Sequence, residues 1–389
     1  MEYKRVWAEI NLDNLAHNVA VIRSCIPAGT ALMAVVKADA YGHGAVEVAN
    51  TMLESGADTL GVAICEEGVQ LRDAGVTAPI LVMAFTPRPL LESVVKHNLI
   101  QTVFSKEGAN ALSQIAARHN TRAVVHIKID TGMSRLGFLP NAASINDICD
   151  IASDPNIFVQ GIYTHFATSD QPDHEFMFEQ EARFAWVLDE LQSRGLHIMK
   201  RHMANSGAVA QIVRKNVANP IGNSIFMDYA RVGVLLYGLP PSTELAEDCA
   251  PLDLKPVMRF MTQVSMVKRL AAGVGISYGH IYKTTRESTI AVLPIGYADG
   301  YPRRLSRGGQ VLVNGQLAPI AGAICMDQCM ADVTDIPTVA PGDPVVLIGS
   351  KEEGVCADDL AKIVGTISYE VVCGVGKRVP RIYTKLNNT

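Results

Sequence analysis

Between residues 12 and 240, short apolar runs alternate with longer stretches whose apolar positions recur every three or four residues. The runs are ALMAVVK, TLGVAI, APILVMAF, IQTVF, AVVHIKID, FVQGIYTHF, MKRHMANS and YARVGVLLYG, eight in all. Their length and flanking turn residues predict strands. The stretches between them predict helices: DNLAHNVAVIRSCI, with Asp13 placed to cap it, then HGAVEVANTMLESG, CEEGVQLRDAG, KEGANALSQIAARHN, SINDICDIASD and HEFMFEQEARFAWVLDELQSRG. Several end in glycine, as helix C-termini often do. Strand–helix alternation implies parallel strands, and eight such units in roughly 220 residues predict a (β/α)8 TIM-type barrel. An open doubly wound sheet is the alternative. It often carries a glycine fingerprint after its first strand, where this chain reads KADAYGHG.

After GLPPSTELAEDCAPLDLKP, a polar, proline-containing stretch that reads as a linker, the texture changes. VMRFMTQVSMVKRL, STIAVLPIGYADG, GQVLVNGQLAPIAGAICMDQCMADVT and DPVVLIG are strand-like, Asn314-Gly315 is a two-residue hairpin signal, and ADDLAKIVG reads as one short helix. The expected class is therefore α/β: a barrel over residues 12–240 and a mostly β second domain over 241–389, which the N-terminal strand at 1–11 joins.

Composition narrows the partners. The net charge is −5 and no basic run exceeds two residues, so neither nucleic acid nor an anionic membrane is expected. MEYKRVWAEINLD lacks the apolar core of a signal peptide, and no stretch approaches the ~18 apolar residues of a spanning helix. The 8 cysteines form no CxxC pair, and Cys325 and Cys329 fall on a strand and its flanking loop. Free thiols in a reducing cytoplasm, and no metal site, are the expectation.

In such barrels chemistry sits at the C-terminal ends of the strands. Lys37 ends the first run, Arg135 follows the fifth, His165 ends the sixth, Ser206 follows the seventh, and Arg231 and Gly233 lie in the eighth. Each has an ordinary reading alone: a surface lysine, half a salt bridge, a structural histidine, a helix cap. Together they bring a nucleophilic amine, basic groups and a Ser-Gly loop to one rim. Loops after strands seven and eight frequently hold a phosphate. A phosphate-bearing cofactor that condenses with a lysine amine is pyridoxal 5′-phosphate. That bond would relieve part of the cost of a desolvated ammonium at Lys37.

AVVKADAYGHG resembles the pyridoxal-lysine motif of alanine racemases. KIDTGMSRLGF, THFATSD, ANSGA, ARVGVLLYG, GISYGHIY, PIGYADGY, AGAICMDQCMADVT and ISYEVVCGVGKRVPRIY are similar to that family's segments, in its order and across both domains. The resemblance implies that Lys37 carries the cofactor and is the base on the D side. It implies that Tyr278 is the base on the L side, contributed by the second subunit of a homodimer. Tyr41, Ser206, Gly233, Val234 and Tyr369 match phosphate-binding positions. Arg231 matches the arginine facing the pyridine nitrogen, and His165 the link from it to the tyrosine. Arg135 and the Met326 backbone match the groups holding the substrate carboxylate, with Asp327 beside them, and Tyr297 and Tyr369 match residues narrowing the entrance. Lys128 matches a lysine often carbamylated; its alternative is an ordinary strand lysine paired with Asp130.

The implied activity is interconversion of L- and D-alanine, supplying D-alanine for peptidoglycan. Two bases on opposite faces suit it, because a single immobile base would tend to restore the original hand. The rivals are a racemase for serine or a broader range, a pyridoxal-phosphate carrier without turnover, and a decarboxylase of the same fold.

Overall fold

In the computed structural model of the chain, residues 4–212 and 224–385 are described. The ends of the expected N-terminal strand and of the second domain, residues 1–3 and 386–389, lie outside them, as do 213–223. The chain divides into two compact units, one of residues 15–40 and 45–255, the other of 1–14, 41–44 and 256–389.

The first strand, β1 (Val6–Asn11), belongs to the second of these units. The eight apolar runs then supply β2 (Ala31–Val35), β3 (Thr59–Val62), β4 (Ile80–Val82), β5 (Ile100–Val103), β6 (Ala123–Lys128), β7 (Ile157–Tyr163), β8 (Lys200–His202) and β9 (Tyr229–Val232). They form one sheet in the order β8-β7-β6-β5-β4-β3-β2-β9, every ladder parallel. Two backbone hydrogen bonds, Asp228 N–H to Arg201 O at 2.9 Å and Arg231 N–H to Ala204 O at 3.0 Å, join the β9 segment to the β8 segment. The sheet thereby meets itself as a barrel.

Helices between the strands bury one stripe each. In Lys106–Arg118 the buried Ala109, Leu112, Ile115 and Ala116 recur at helical spacing, and the Ser105 hydroxyl accepts the Gly108 N–H at 3.1 Å as its cap. Inside the barrel, Met33, Leu81 and Ile100 cluster with Met83, Val124 and Tyr229.

Local expectations need correction at four places. The first helix, Leu12–Cys25, is capped by Asn11, whose side-chain oxygen accepts the Asn14 N–H at 2.9 Å; Asp13 lies inside the first turn. Two helices escape the periodicity, Leu91–Lys96 and Ser206–Ile212, because six and seven residues scarcely complete two turns. The stretch read as a linker is packed: Leu245, Cys249 and Leu252 are buried around a short helix, Ala246–Cys249, and the Asn18 side chain hydrogen-bonds both N–H and C=O of Lys255.

The second unit is built on β10 (Met258–Gln263), β11 (Met266–Leu270), β12 (Gly275–Ile276), β13 (Tyr282–Lys283), β14 (Ser288–Leu293), β15 (Gln310–Val313), β16 (Gln316–Pro319), β17 (Cys329–Asp332), β18 (Pro344–Ile348) and β19 (Arg381–Thr384). A six-stranded sheet runs β16-β15-β18-β10-β1-β19, and a three-stranded one runs β11-β14-β17. Asn314 (φ 47°) and Gly315 (φ 76°) make the β15–β16 hairpin, with Val313 opposite Gln316. ADDLAKIVG forms the helix Ala357–Val364, closed by Gly365 in the left-handed region; a second helix, Ser368–Cys373, follows it.

Candidate active site

Lys37 stands two residues beyond β2, half-buried. The chain then turns left-handed. Ala38, Asp39, Ala40 and Tyr41 all have φ of 53–54°, a conformation that costs about 1–2 kcal/mol per residue for a side chain with Cβ. The turn is held from several sides. The Glu67 carboxylate accepts the Ala38 N–H at 2.6 Å and the Ala63 N–H at 2.7 Å, so one side chain ties the β3 loop to the lysine's neighbour. Asp39 accepts the Ala45 N–H at 2.8 Å, and Ala40 N–H reaches Val36 O at 2.9 Å. Backbone strain fixed this firmly is a mark of functional segments.

Arg231, on β9, is 3% exposed. One guanidinium nitrogen, Nη2, donates to the Thr164 carbonyl at 2.8 Å and the Met203 carbonyl at 3.0 Å, and lies 3.3 Å from His165 Nδ1. The other, Nη1, is 2.9 Å from His202 Nδ1. Burial brings its pKa down to about 10, which still leaves it a cation at neutral pH. His165 is held well below the usual histidine range, first by burial and then by the charges of Arg231, Lys128, Arg135 and Lys37. The sequence-based link between Arg231 and His165 is thus present as a contact, with the imidazole neutral.

Lys128 points into the same region. Its Nζ is buried, has no hydrogen-bond partner among the described residues, and lies 4.6 Å from the centre of the Tyr163 ring. The Arg231 guanidinium carbon sits 5.1 Å from that same ring centre. Burial, and then repulsion from Arg231 and Arg135, holds the Lys128 amine far below its usual value. The pairing with Asp130 is not formed. The Asp130 carboxylate instead accepts the N–H groups of Gly132, Ser134 and Arg135, each at 3.0 Å, and so wraps the loop that presents the exposed Arg135. Gly137 (φ 140°) closes that loop, where a Cβ would lie 2.4 Å from the Asp130 nitrogen.

Ser206 opens the helix after β8, and its hydroxyl accepts the Gly233 N–H at 2.9 Å. Val234 begins the helical turn after β9. The barrel unit therefore gathers Lys37, Lys128, Arg135, His165, Ser206, Arg231, Gly233 and Val234 at or just beyond the C-terminal ends of its strands.

The other unit holds the remaining candidates. Tyr41 is buried, which pushes its phenol up strongly, with the nearby Cys373 adding to the effect; its ring centre is 6.0 Å from that of Tyr369. Gly42 (φ 79°) lies so close to Val372 O that a Cβ would sit 2.5 Å away. Tyr278 is 72% exposed and follows Ser277, whose φ is 63° and whose hydroxyl donates to Ala323 O at 2.6 Å. Tyr297 and Met326 are brought together: Tyr297 N–H donates to Cys325 O at 3.1 Å and Ala298 N–H to Met326 O at 3.0 Å. Asp327 accepts from Arg378 Nη2 at 2.6 Å, and Arg378 Nε donates to the buried Asp299 at 2.7 Å.

Sequence reading missed Tyr163, His126 and His202. Tyr163 stacks on His202 with ring centres 4.7 Å apart and planes at 5°. His126 and Lys128 alternate along β6, as do Lys200 and His202 along β8; polar residues at period two inside an apolar run were the signal of an inward polar face.

A barrel whose strand ends collect lysines, two arginines and a hydroxyl, followed along the chain by a mostly β domain, has the architecture of a two-domain barrel enzyme. The family models described as "Alanine racemase, N-terminal domain" and "Alanine racemase, C-terminal domain" match residues 10–241 and 257–383. Alanine racemase 1 of Clostridium acetobutylicum is 45% identical over 98% of this chain and 95% of its own. The alanine racemase of Desulfovibrio desulfuricans is 46% identical over 98% of each. Among solved structures, alanine racemase of Clostridium difficile 630 superposes with a TM-score of 0.92 at 38% identity, covering 100% of this chain and 97% of that one. That of Bacillus anthracis with bound L-Ala-P gives 0.90 at 36% identity, covering 100% and 97%. The chain belongs to the alanine racemase family.

Proposed function

We propose that this chain is an isomerase that interconverts L- and D-alanine, with pyridoxal 5′-phosphate as cofactor and Lys37 and Tyr278 as its two bases. The residues of the barrel unit fit such a group: a fixed arginine that can only donate, a serine hydroxyl already paired with the Gly233 N–H, and a half-buried lysine. When bound, the cofactor supplies an electron sink for charge developing at the α-carbon.

The observation that carries the reading is Arg231. Fixed by two carbonyls and His202, it presents no proton acceptor to a ring nitrogen. A ring nitrogen facing Arg231 would stay unprotonated, so the demand would fall on the two bases. Lys37 would take or return the α-proton on one face and Tyr278 on the other. His165, neutral beside Arg231, is available to hold the tyrosine hydroxyl. Arg135 would grip the substrate carboxylate with its fork, the Met326 backbone assisting and Asp327 beside them. Ser206, Gly233, Val234, Tyr41 and Tyr369 would hold the phosphate, with Tyr297 and Tyr369 narrowing the entrance. A methyl side chain suits that crowding, and pocket discrimination against a hydroxymethyl is only ~1–3 kcal/mol.

The carrier alternative is disfavoured by the match of the second domain over 257–383. Serine is disfavoured by the relatives' names. Cytoplasmic location is supported by scattered cysteines that form no CxxC pair, and supply of D-alanine for peptidoglycan by the bacterial relatives.

The test is exchange of the α-hydrogen with deuterated solvent. Tyr278→Phe should block exchange from L-alanine while D-alanine retains some; equal loss from both enantiomers would refute the two-face assignment. Homodimeric sites shared between subunits follow from the same reading. Mixing Lys37→Ala and Tyr278→Phe chains should restore activity through hybrids with one intact site, and no recovery despite proven subunit exchange would contradict sharing. Lys128, kept neutral among cations, would add carbon dioxide and lose a proton to become a carbamate, an anionic partner for Arg135. Labelled bicarbonate should give a carbamate carbon resonance that Lys128→Ala lacks; its presence in both would place the adduct elsewhere.

A further inference from the structure

We propose that His126 and Gln160 are positioning residues, which fix the tautomer of His202 through a one-way chain of hydrogen bonds and thereby hold Arg231 in place. The chain runs from the guanidinium down the barrel interior. Arg231 Nη1 is 2.9 Å from His202 Nδ1, His202 Nε2 is 2.9 Å from His126 Nδ1, and His126 Nε2 is 3.3 Å from Gln160 Oε1.

Its direction follows from donor chemistry. Arginine only donates, so His202 Nδ1 must accept. Neutral His202 then carries its proton on Nε2 and donates it to His126 Nδ1. His126 in turn carries its proton on Nε2, which needs an acceptor, and Gln160 Oε1 is there. Were the Gln160 amide turned, His126 and His202 would both hold their protons on Nδ1, and His202 would face the guanidinium donor to donor. Both imidazoles are fully buried, and burial keeps both neutral.

Two independent features show that the backbone is shaped around this chain. The β6–β7 ladder pairs Val125 with Val159 and His126 with Gly161, so Gln160 is the extra residue of a β-bulge. Bulges re-aim side chains, and this one aims Gln160 at His126. Gly161 then leaves the room: a Cβ there would lie 2.7 Å from three atoms of the His126 ring. Tyr163, stacked on His202, fixes the ring plane.

The inference rests on the reading of Arg231 as the group facing the cofactor ring. Its test combines nitrogen NMR of histidine-labelled full-length protein, which reports tautomers without turnover, with steady-state kinetics. In the natural sequence, His126 and His202, assigned by substitution, should both be protonated on Nε2. Gln160→Leu should mix the tautomers of both rings and lower kcat about tenfold, with KM for alanine within about twofold. Gln160→Glu, which keeps the acceptor, should restore both tautomers and rate. A His202 protonated on Nδ1 in the natural sequence would overturn the proposal, and that measurement stands even if Gln160→Leu fails to fold. So would a folded Gln160→Leu with unchanged tautomers or unchanged kcat. A natural chain that never racemises alanine would instead sink the functional reading, and the tautomers would still judge the hydrogen-bond chain.

Discussion

Arg231 and Tyr278 are both assigned to the reaction, yet one is 3% exposed and the other 72%. Around Arg231, carbonyls and imidazoles take up the donors in a closed interior, with the Tyr163 ring beside the guanidinium. Around Tyr278, the backbone at Ser277, Gly279 and His280 has positive φ, and the side chain is left exposed. Met326 at 54% and Tyr297 at 43% share that exposure. The barrel unit invests its polar residues in fixed direction: a buried donor that moved would leave carbonyls unsatisfied at about 1–3 kcal/mol each. The β unit carries its candidate groups on turns with positive φ and leaves them exposed. Orientation and access are thus assigned to different units.

The largest expected effect that separates the units is their response to acid. His126 and His202 are buried and neutral in the barrel unit, and the half-buried His165 is neutral beside them; burial brings the His126 pKa down from 6.5 to about 4. Below 6.5 the unfolded chain takes up protons that the folded barrel refuses. Barrel stability is therefore full above that value and is lost as pH falls toward 4. For His126 alone the gap corresponds to about 3 kcal/mol. In the β unit, burial alone would raise Asp299 and Asp332, but hydrogen bonds from Arg5 and Arg378, and from Thr334 and Tyr282, hold both below 3.8. Their contribution persists down to that value and is lost only in stronger acid. Hydrogen exchange read by mass spectrometry, corrected for intrinsic rates, should show barrel peptides losing protection between pH 6.5 and 4 while β-unit peptides keep theirs. Simultaneous loss in both would break the contrast.

The same division decides what could be read from the sequence. The eight runs were legible because a buried parallel strand has an apolar signature, and the Asn314-Gly315 turn because few residue pairs tolerate two positive φ angles. The left-handed turn after Lys37 was not: Ala38, Asp39 and Ala40 carry no local preference for it, and Glu67, which clamps it, is supplied from beyond β3. The histidine chain was hidden for a related reason. AVVHIKID and MKRHMANS read as strands that end in polar residues, and only the barrel's closure shows that His126 and His202 face each other. Lys37 and Arg231 stood out by their place at strand ends, whereas Tyr278 was found only through motif resemblance. Resemblance identifies positions but says nothing of the scaffold that holds them, and Gln160 and Gly161 belong to that scaffold.

The smallest expected effect is the most discriminating. Tyr278→Phe removes one hydroxyl from a side chain that is 72% exposed, so the unfolding free energy measured in urea should stay within about 0.5 kcal/mol of the natural chain. Deuterium exchange from L-alanine should nevertheless disappear. That pair of outcomes would separate a role in the reaction from a role in folding at a residue next to the positive-φ Ser277 and Gly279. If the substitution instead lowered stability by more than about 1 kcal/mol, the hydroxyl would be a structural partner within the β unit. Loss of exchange could then be no more than loss of fold, and Tyr278 would belong with the buried side chains from which its exposure separates it.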